Sequence, residues 1–157
     1  MTSFYDTLMS TAEKFVHMTD FTPADNGPNE SKIRALCAEN YQQSWGHDYF
    51  VSSKPHLNHT LDLNGFLGHL STMSTKMASA DAEITDMSVD ERQRKVVVRA
   101  TYKLLPKGSP EPGINDLVWI LKLSEDGRKV ESGKEFIDGE AAMRLGQLIR
   151  ENSGVPN

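Results

Sequence analysis

A chain of 157 residues, 38% hydrophobic and 25% charged, is long enough to bury a core without disulfide or metal staples, and its composition excludes a disordered protein. A net charge of −5, with lysines and arginines interspersed among acids, argues against nucleic acid, which requires a basic surface. No apolar run approaches the length of a membrane span, and the single cysteine, Cys37, cannot form an internal disulfide.

The N-terminal Met-Thr-Ser-Phe-Tyr-Asp lacks the basic start and apolar centre of a secretion signal, so the expected compartment is the cytoplasm. Ser3 is placed to cap a first helix, with Asp6 in its first turn. Tyr5, Leu8, Met9, Ala12, Phe15 and Val16 form its apolar stripe at helical spacing. Residues 22–28 hold two prolines, Asn26 and Gly27, the chemistry of a loop.

A second helix is expected to begin near Asn29 to Ser31, to carry Ile33, Leu36, Cys37 and Tyr41 on one face, and to fade around residues 44–46. Cys37 then sits on the apolar face as a buried thiol, the alternative being a nucleophile. Residues 46–52 are aromatic and β-branched and suit a short strand ended by Pro55. Asp62 is the cap expected for a third helix with Phe66, Leu67, Leu70, Met73 and Met77 on its buried side. Gly65 and Gly68 weaken that helix by about 1 kcal/mol each relative to alanine, a cost that close approach of another element would explain.

From residue 80 the period drops to two. Residues 82–87, 95–105, 115–123 and 128–138 read as four strands whose short connections imply antiparallel neighbours. Asp126-Gly127 marks the last turn. Asp138 caps a final helix carrying Ala141, Ala142, Leu145, Leu148 and Ile149, and residues 152–157 read as a frayed tail. Helices first and a meander after predict an α+β fold in a single domain, residues 1–157, with helices against one face of a curved sheet.

This order, and several local words, resemble the fungal small cyclases and isomerases of the NTF2-like (SnoaL-like) superfamily. The words are Glu39-Asn40-Tyr41-Gln42-Gln43-Ser44-Trp45-Gly46-His47 as the end of the second helix, and Tyr49-Phe50-Val51-Ser52 before Pro55 as the strand before the third. Gly65-Phe66-Leu67-Gly68-His69-Leu70 with Met73 matches the third helix, and Lys134-Glu135-Phe136-Ile137-Asp138 the last strand. The resemblance spans nearly the whole chain and rests on order and spacing. It implies a cone around one pocket, a homodimer, and cofactor-free acid/base chemistry on a polycyclic meroterpenoid intermediate, a rearrangement of rings or lactones in fungal secondary metabolism. A non-catalytic module that binds a small molecule or a protein, and a dehydratase with a His–Asp pair, are the alternatives on the same fold.

Such chemistry needs a base, a donor for the developing oxyanion and a dry pocket. Four of the five histidines lie between His47 and His69, and histidine exchanges protons near neutral pH. His69 shares the buried side of the third helix with Phe66 and Met73, as a pocket acid or base or as a core histidine bonded to backbone. His47 lies at the pocket mouth or in a structural loop bond. His56 and His59 are three apart, but no third ligand has convincing spacing, so no metal is expected. Asp62 is a helix cap or a rim carboxylate.

Glu135 lies in the last strand, where polyketide cyclases of the superfamily carry an acidic catalyst. If Glu131, Gly133, Glu135 and Ile137 face the cone, it is a base; in the opposite register it is a surface or interface charge. Arg99 interrupts an apolar run, either paired on a solvated face or clamping a substrate oxygen. Trp45, Phe50, Phe66, Met73, Trp119 and Phe136 are the expected apolar walls, with plain core as the alternative for each. No phosphate loop, nucleophile elbow or dinucleotide fingerprint is present, and no cofactor is expected.

Overall fold

The computed structural model describes residues 1–154, and its helices begin where the sequence supplies caps. In α1 (Phe4–His17), Ser3 Oγ accepts from the Asp6 amide at 3.1 Å while the Asp6 carboxylate accepts from the Ser3 amide at 3.2 Å, a closed capping box. Asn29 caps α2 (Glu30–Leu36) through Lys32 N, and Asp62 caps α4 (Leu63–Ser74) through Gly65 N at 2.8 Å. Asp138 caps α5 (Gly139–Asn152) through the amides of Glu140 and Ala141. The expected frayed tail is helical to Asn152; residues 155–157 lie outside the described part.

The second helix stops at Leu36, well short of the expected residues 44–46. Residues Cys37–Gly46 are strand β1, and Asp48–Ser52 are a short helix, α3, where a strand is expected. Both corrections have one cause. Cys37 and Tyr41 are four apart, as on a helix face, because the β1 register shifts between Cys37 and Gln42. From Tyr41 onward, Tyr41, Gln43 and Trp45 are buried in strict alternation. With β1 supplied by residues 37–46, the aromatic stretch after it closes a helical turn, leaving Tyr49 95% exposed.

The sheet order is β1-β5-β4-β3-β2. Strands β2 (Met77–Asp90), β3 (Lys95–Pro106), β4 (Gly113–Leu123) and β5 (Val130–Phe136) form the expected antiparallel meander. Strand β1 joins it parallel to β5, a pairing that needs the intervening helices and meander to bring the chain back. The curved sheet wraps helices α1, α2 and α4. Leu8, Phe15, Val16, Ile33, Tyr41 and Phe66 meet Val96, Val98, Trp119 and Leu121 in one core. Each such side chain contributes about 1.5–3 kcal/mol by leaving water. The result is the α+β cone expected from the order of elements.

Gly68 has no neighbour within 4 Å of a built Cβ, so close approach does not explain it. A tight glycine is Gly133 on β5. A Cβ there would stand 2.7 Å from Tyr41 Oη and 3.1 Å from Trp119 Cζ3, both on rigid core side chains. We expect Gly133→Ala to destabilise the protein by about 1–3 kcal/mol through overpacking, measured by urea unfolding.

Candidate active site

The parallel seam between β1 and β5 pairs Trp45 directly with Glu135, and the antiparallel seam beyond pairs Glu135 with Trp119. The three side chains therefore stand in a row across the inner face of the cone. Trp45 Nε1 donates to Glu135 Oε2 at 3.0 Å. The other face of the row meets α4: the Trp45 and His69 rings are 4.8 Å apart, tilted by 53°. Glu135 is thus in the inward register, and His69 is on the buried side of its helix; the two flank one indole.

Both groups are pushed from their ordinary protonation behaviour by desolvation. Burial raises the Glu135 carboxyl from 4.5 to about 7, with the Trp45 hydrogen bond opposing in part. Burial lowers His69 from 6.5 to about 4, helped by the nearby His56 and His59. Around neutral pH the carboxyl is therefore poised between its two forms while the imidazole is neutral. Neither group is sealed. Among the described residues, the buried side-chain polar atoms without a hydrogen bond are Asp20 Oδ1 and Arg94 Nε. Glu135 is half-buried and its Oε1 makes no hydrogen bond, so that oxygen is reachable; the same holds for the ring nitrogens of His69.

The rest of the inner wall is aromatic and self-satisfied. Trp119 Nε1 donates to Tyr102 Oη at 3.1 Å, and Tyr102 donates to the Val16 carbonyl at 3.3 Å. Tyr41 donates to Gln43 Oε1 at 2.5 Å, beside Gly133. Burial pushes both phenols upward, with the Glu135 carboxyl adding to the effect, so both stay protonated. Phe15, Tyr41, Phe66 and Trp119 pack edge and face at the closed end, with ring centres 5.2–6.0 Å apart in successive pairs. Sequence reasoning overlooked Gln43 and Tyr102. The signal for Gln43 was the alternation Tyr41-x-Gln43-x-Trp45, which becomes visible once residues 37–46 are read as strand.

The other expected site residues lie elsewhere. Asp62 is exposed and occupied as the α4 cap. His47 is exposed, its ring 5.3 Å from Phe136. Phe136 is on the outer face of β5, where Lys134 reaches over it, so it is no wall of the cone. Arg99 is also outward, in a two-point ion pair with Asp116 (3.0 and 2.6 Å), its side chain 58% exposed. That is the paired, solvated alternative raised for it. Phe50 packs beside Trp45, Val51 and Leu57 in a small separate cluster, and Met73 against Phe21, Met77 and Leu145. Phe66 is plain core against Tyr41. Two open depressions, of about 500 and 570 Å³, lie outside the cone, at the β4–β5 turn and beside Phe136. His56 and His59 are exposed in the α3–α4 connection. Cys37 is buried and its thiol is pushed up to about 12, which suits a structural role.

This arrangement, a curved mixed sheet closing over helices with its titratable groups inside, is the NTF2-like (SnoaL-like) fold. Solved structures agree. PrhC from Penicillium brasilianum NBRC 6234 superposes with a TM-score of 0.77 at 20% identity, over 96% of this chain and 93% of that one. The BvnE pinacolase from Penicillium brevicompactum gives 0.77 at 17% identity, over 96% and 99%. A putative SnoaL-like polyketide cyclase from Jannaschia sp. CCS1 gives 0.67 at 12% identity, over 99% and 98%. By sequence, no protein-family model and no curated protein matches this chain. Among the described residues, no helix is long and apolar enough to cross a membrane.

The raised Glu135 and lowered His69 have opposite consequences for stability. The folded state holds the Glu135 proton to about pH 7 whereas the unfolded chain releases it near 4.5, so this group costs stability as pH rises through that window. His69 costs stability as pH falls from 6.5 through about 4. Glu135→Gln removes only the first loss. Relative to wild type, the variant should gain up to about 3 kcal/mol between about pH 4 and about pH 8.5, read from urea midpoints at the two pH values.

Proposed function

We propose that this chain, acting as one domain, is a cofactor-free isomerase or cyclase that rearranges a hydrophobic small molecule by proton transfer between His69 and Glu135. The observation that carries this reading is the pair of reachable titratable groups on either side of Trp45, displaced in opposite directions by desolvation. Neutral His69 takes the proton from carbon next to a substrate carbonyl. Protonated Glu135 delivers its own proton to the developing enolate oxygen, leaving imidazolium and carboxylate. Return of a proton from His69 to a different atom of the skeleton, and of the oxygen-bound proton to Glu135, closes the cycle with no net change in the protein. The low-dielectric wall of Trp45, Tyr41 and Trp119 strengthens the hydrogen bond to the enolate. Asp62, His47, Arg99 and Phe136 have no part in this step.

The substrate class we infer is a polycyclic meroterpenoid of fungal secondary metabolism, rearranged at a ring or a lactone. Support comes from the resemblance in sequence order and from two superposing structures of Penicillium origin, one named a pinacolase. A homodimer fits the outer sheet face, where half-buried Val97, Val118 and Ile120 surround the Arg99–Asp116 pair. Light scattering should return twice the 17.5 kDa chain mass; the mass of one chain overturns the dimer.

The test of the chemistry is incubation of purified protein with an extract of a strain lacking its gene. A product should form with wild type and fall by about 10²–10⁴-fold with His69→Ala or Glu135→Ala. Full activity of both variants removes the pair, and no product with wild type leaves the ligand-binding reading.

A further inference from the structure

Trp45 is expected from the sequence as an apolar wall, but its indole does something a wall does not. It donates its single N–H to one oxygen of the Glu135 carboxyl, Oε2, at 3.0 Å, and leaves Oε1 without a partner. An N–H has no lone pair, so Oε2 must act as acceptor in both charge states. In the neutral acid the carbonyl oxygen is the better acceptor, and the hydroxyl is consequently placed on the other oxygen. We propose that Trp45 is a positioning residue that ties down Glu135 Oε2 and so presents the exchangeable proton on Oε1, the reachable oxygen.

Several features hold Trp45 in that role. It is 4% exposed, and its backbone is in register with Glu135 in the parallel β1–β5 ladder, so donor and acceptor share one rung. Val51 and Leu57 pack with it, supported by Phe50, Leu61 and Ile137, and the β1 strand is pinned next door by the reciprocal Gln43–Leu61 backbone bonds at 2.8 and 2.9 Å. Trp119, the other rung neighbour of Glu135, cannot substitute: its N–H is committed to Tyr102. The titratable groups facing the carboxyl's surroundings are Tyr41 on β1, Tyr102 on β3 and, across the indole, His69 on α4 with His56 and His59 behind it. The phenols stay neutral across the useful range, and Glu135→Gln separates the carboxyl from the histidines in a titration seen at Trp45.

The catalytic consequence rests on the reading proposed above; the hydrogen bond itself does not, and the experiment separates them. In wild type without substrate, the Trp45 indole N–H resonance should shift with pH at the same midpoint as the Glu135 side-chain carbon, while the Trp119 indole stays flat. Glu135→Gln should abolish the Trp45 shift. In Trp45→Phe, which keeps a ring against His69, the Glu135 midpoint should rise by about one unit, because a bond favouring the carboxylate is lost. If product formation can be followed, its pH profile should move upward by the same amount. An invariant Trp45 indole through the Glu135 transition, or an unchanged midpoint in folded Trp45→Phe, overturns the assignment. Midpoints that move as expected with no product from wild type leave the positioning intact and overturn only the catalytic reading.

Discussion

The hydrogen bond between Trp45 and Glu135 crosses the one parallel seam of the sheet, and the site depends on that seam. Strand β1 contributes the indole, β5 the carboxyl, and α4 lays His69 on the far face of the same ring. Removing water from a carboxyl favours its neutral form, while a donor favours the anion. Here the first effect is larger, which leaves the group near neutrality in charge and still anchored in direction. A carboxyl desolvated without an anchor would rotate; one anchored by an arginine would be a permanent anion. An indole supplies direction with little charge stabilisation.

The closed end of the cone supports this arrangement by being fully committed. Tyr41, Gln43, Tyr102 and Trp119 satisfy one another or the backbone. Beside them, Glu135 Oε1 and the ring nitrogens of His69 remain free. Gly133 allows the aromatic layer to lie against β5, one alternation before Glu135. Arg99 and Asp116 neutralise each other on the convex face, where an exposed pair contributes at most about 1 kcal/mol.

Much of this was legible in the residues. Ser3, Asp62 and Asp138 announced three helix starts because capping is local chemistry, and the period of two after residue 80 announced the meander. His69 and Glu135 were both legible as inward candidates, one from helical spacing and one from strand alternation. What misled was the stretch 33–46. Its β1 irregularity reproduces helical spacing, and with it Gln43 lost the alternation that marks an inward strand residue. Phe136 failed as a wall, and Arg99 as a clamp, for a different reason: alternation tells which residues share a face, but not which face is concave.

The sequence by itself determined the class of fold, the helix caps, the strand periodicity and the short list of proton-exchanging side chains, since each follows from contacts within a few residues. Only the tertiary structure decided that β1 pairs parallel with β5, that Glu135 and His69 share Trp45, and that His47, Asp62, Arg99 and Phe136 do not join them. Those facts depend on which strand closes the sheet and how deep each group sits. Residues 90 apart along the chain meet through that closure, and desolvation is a property of the surrounding packing.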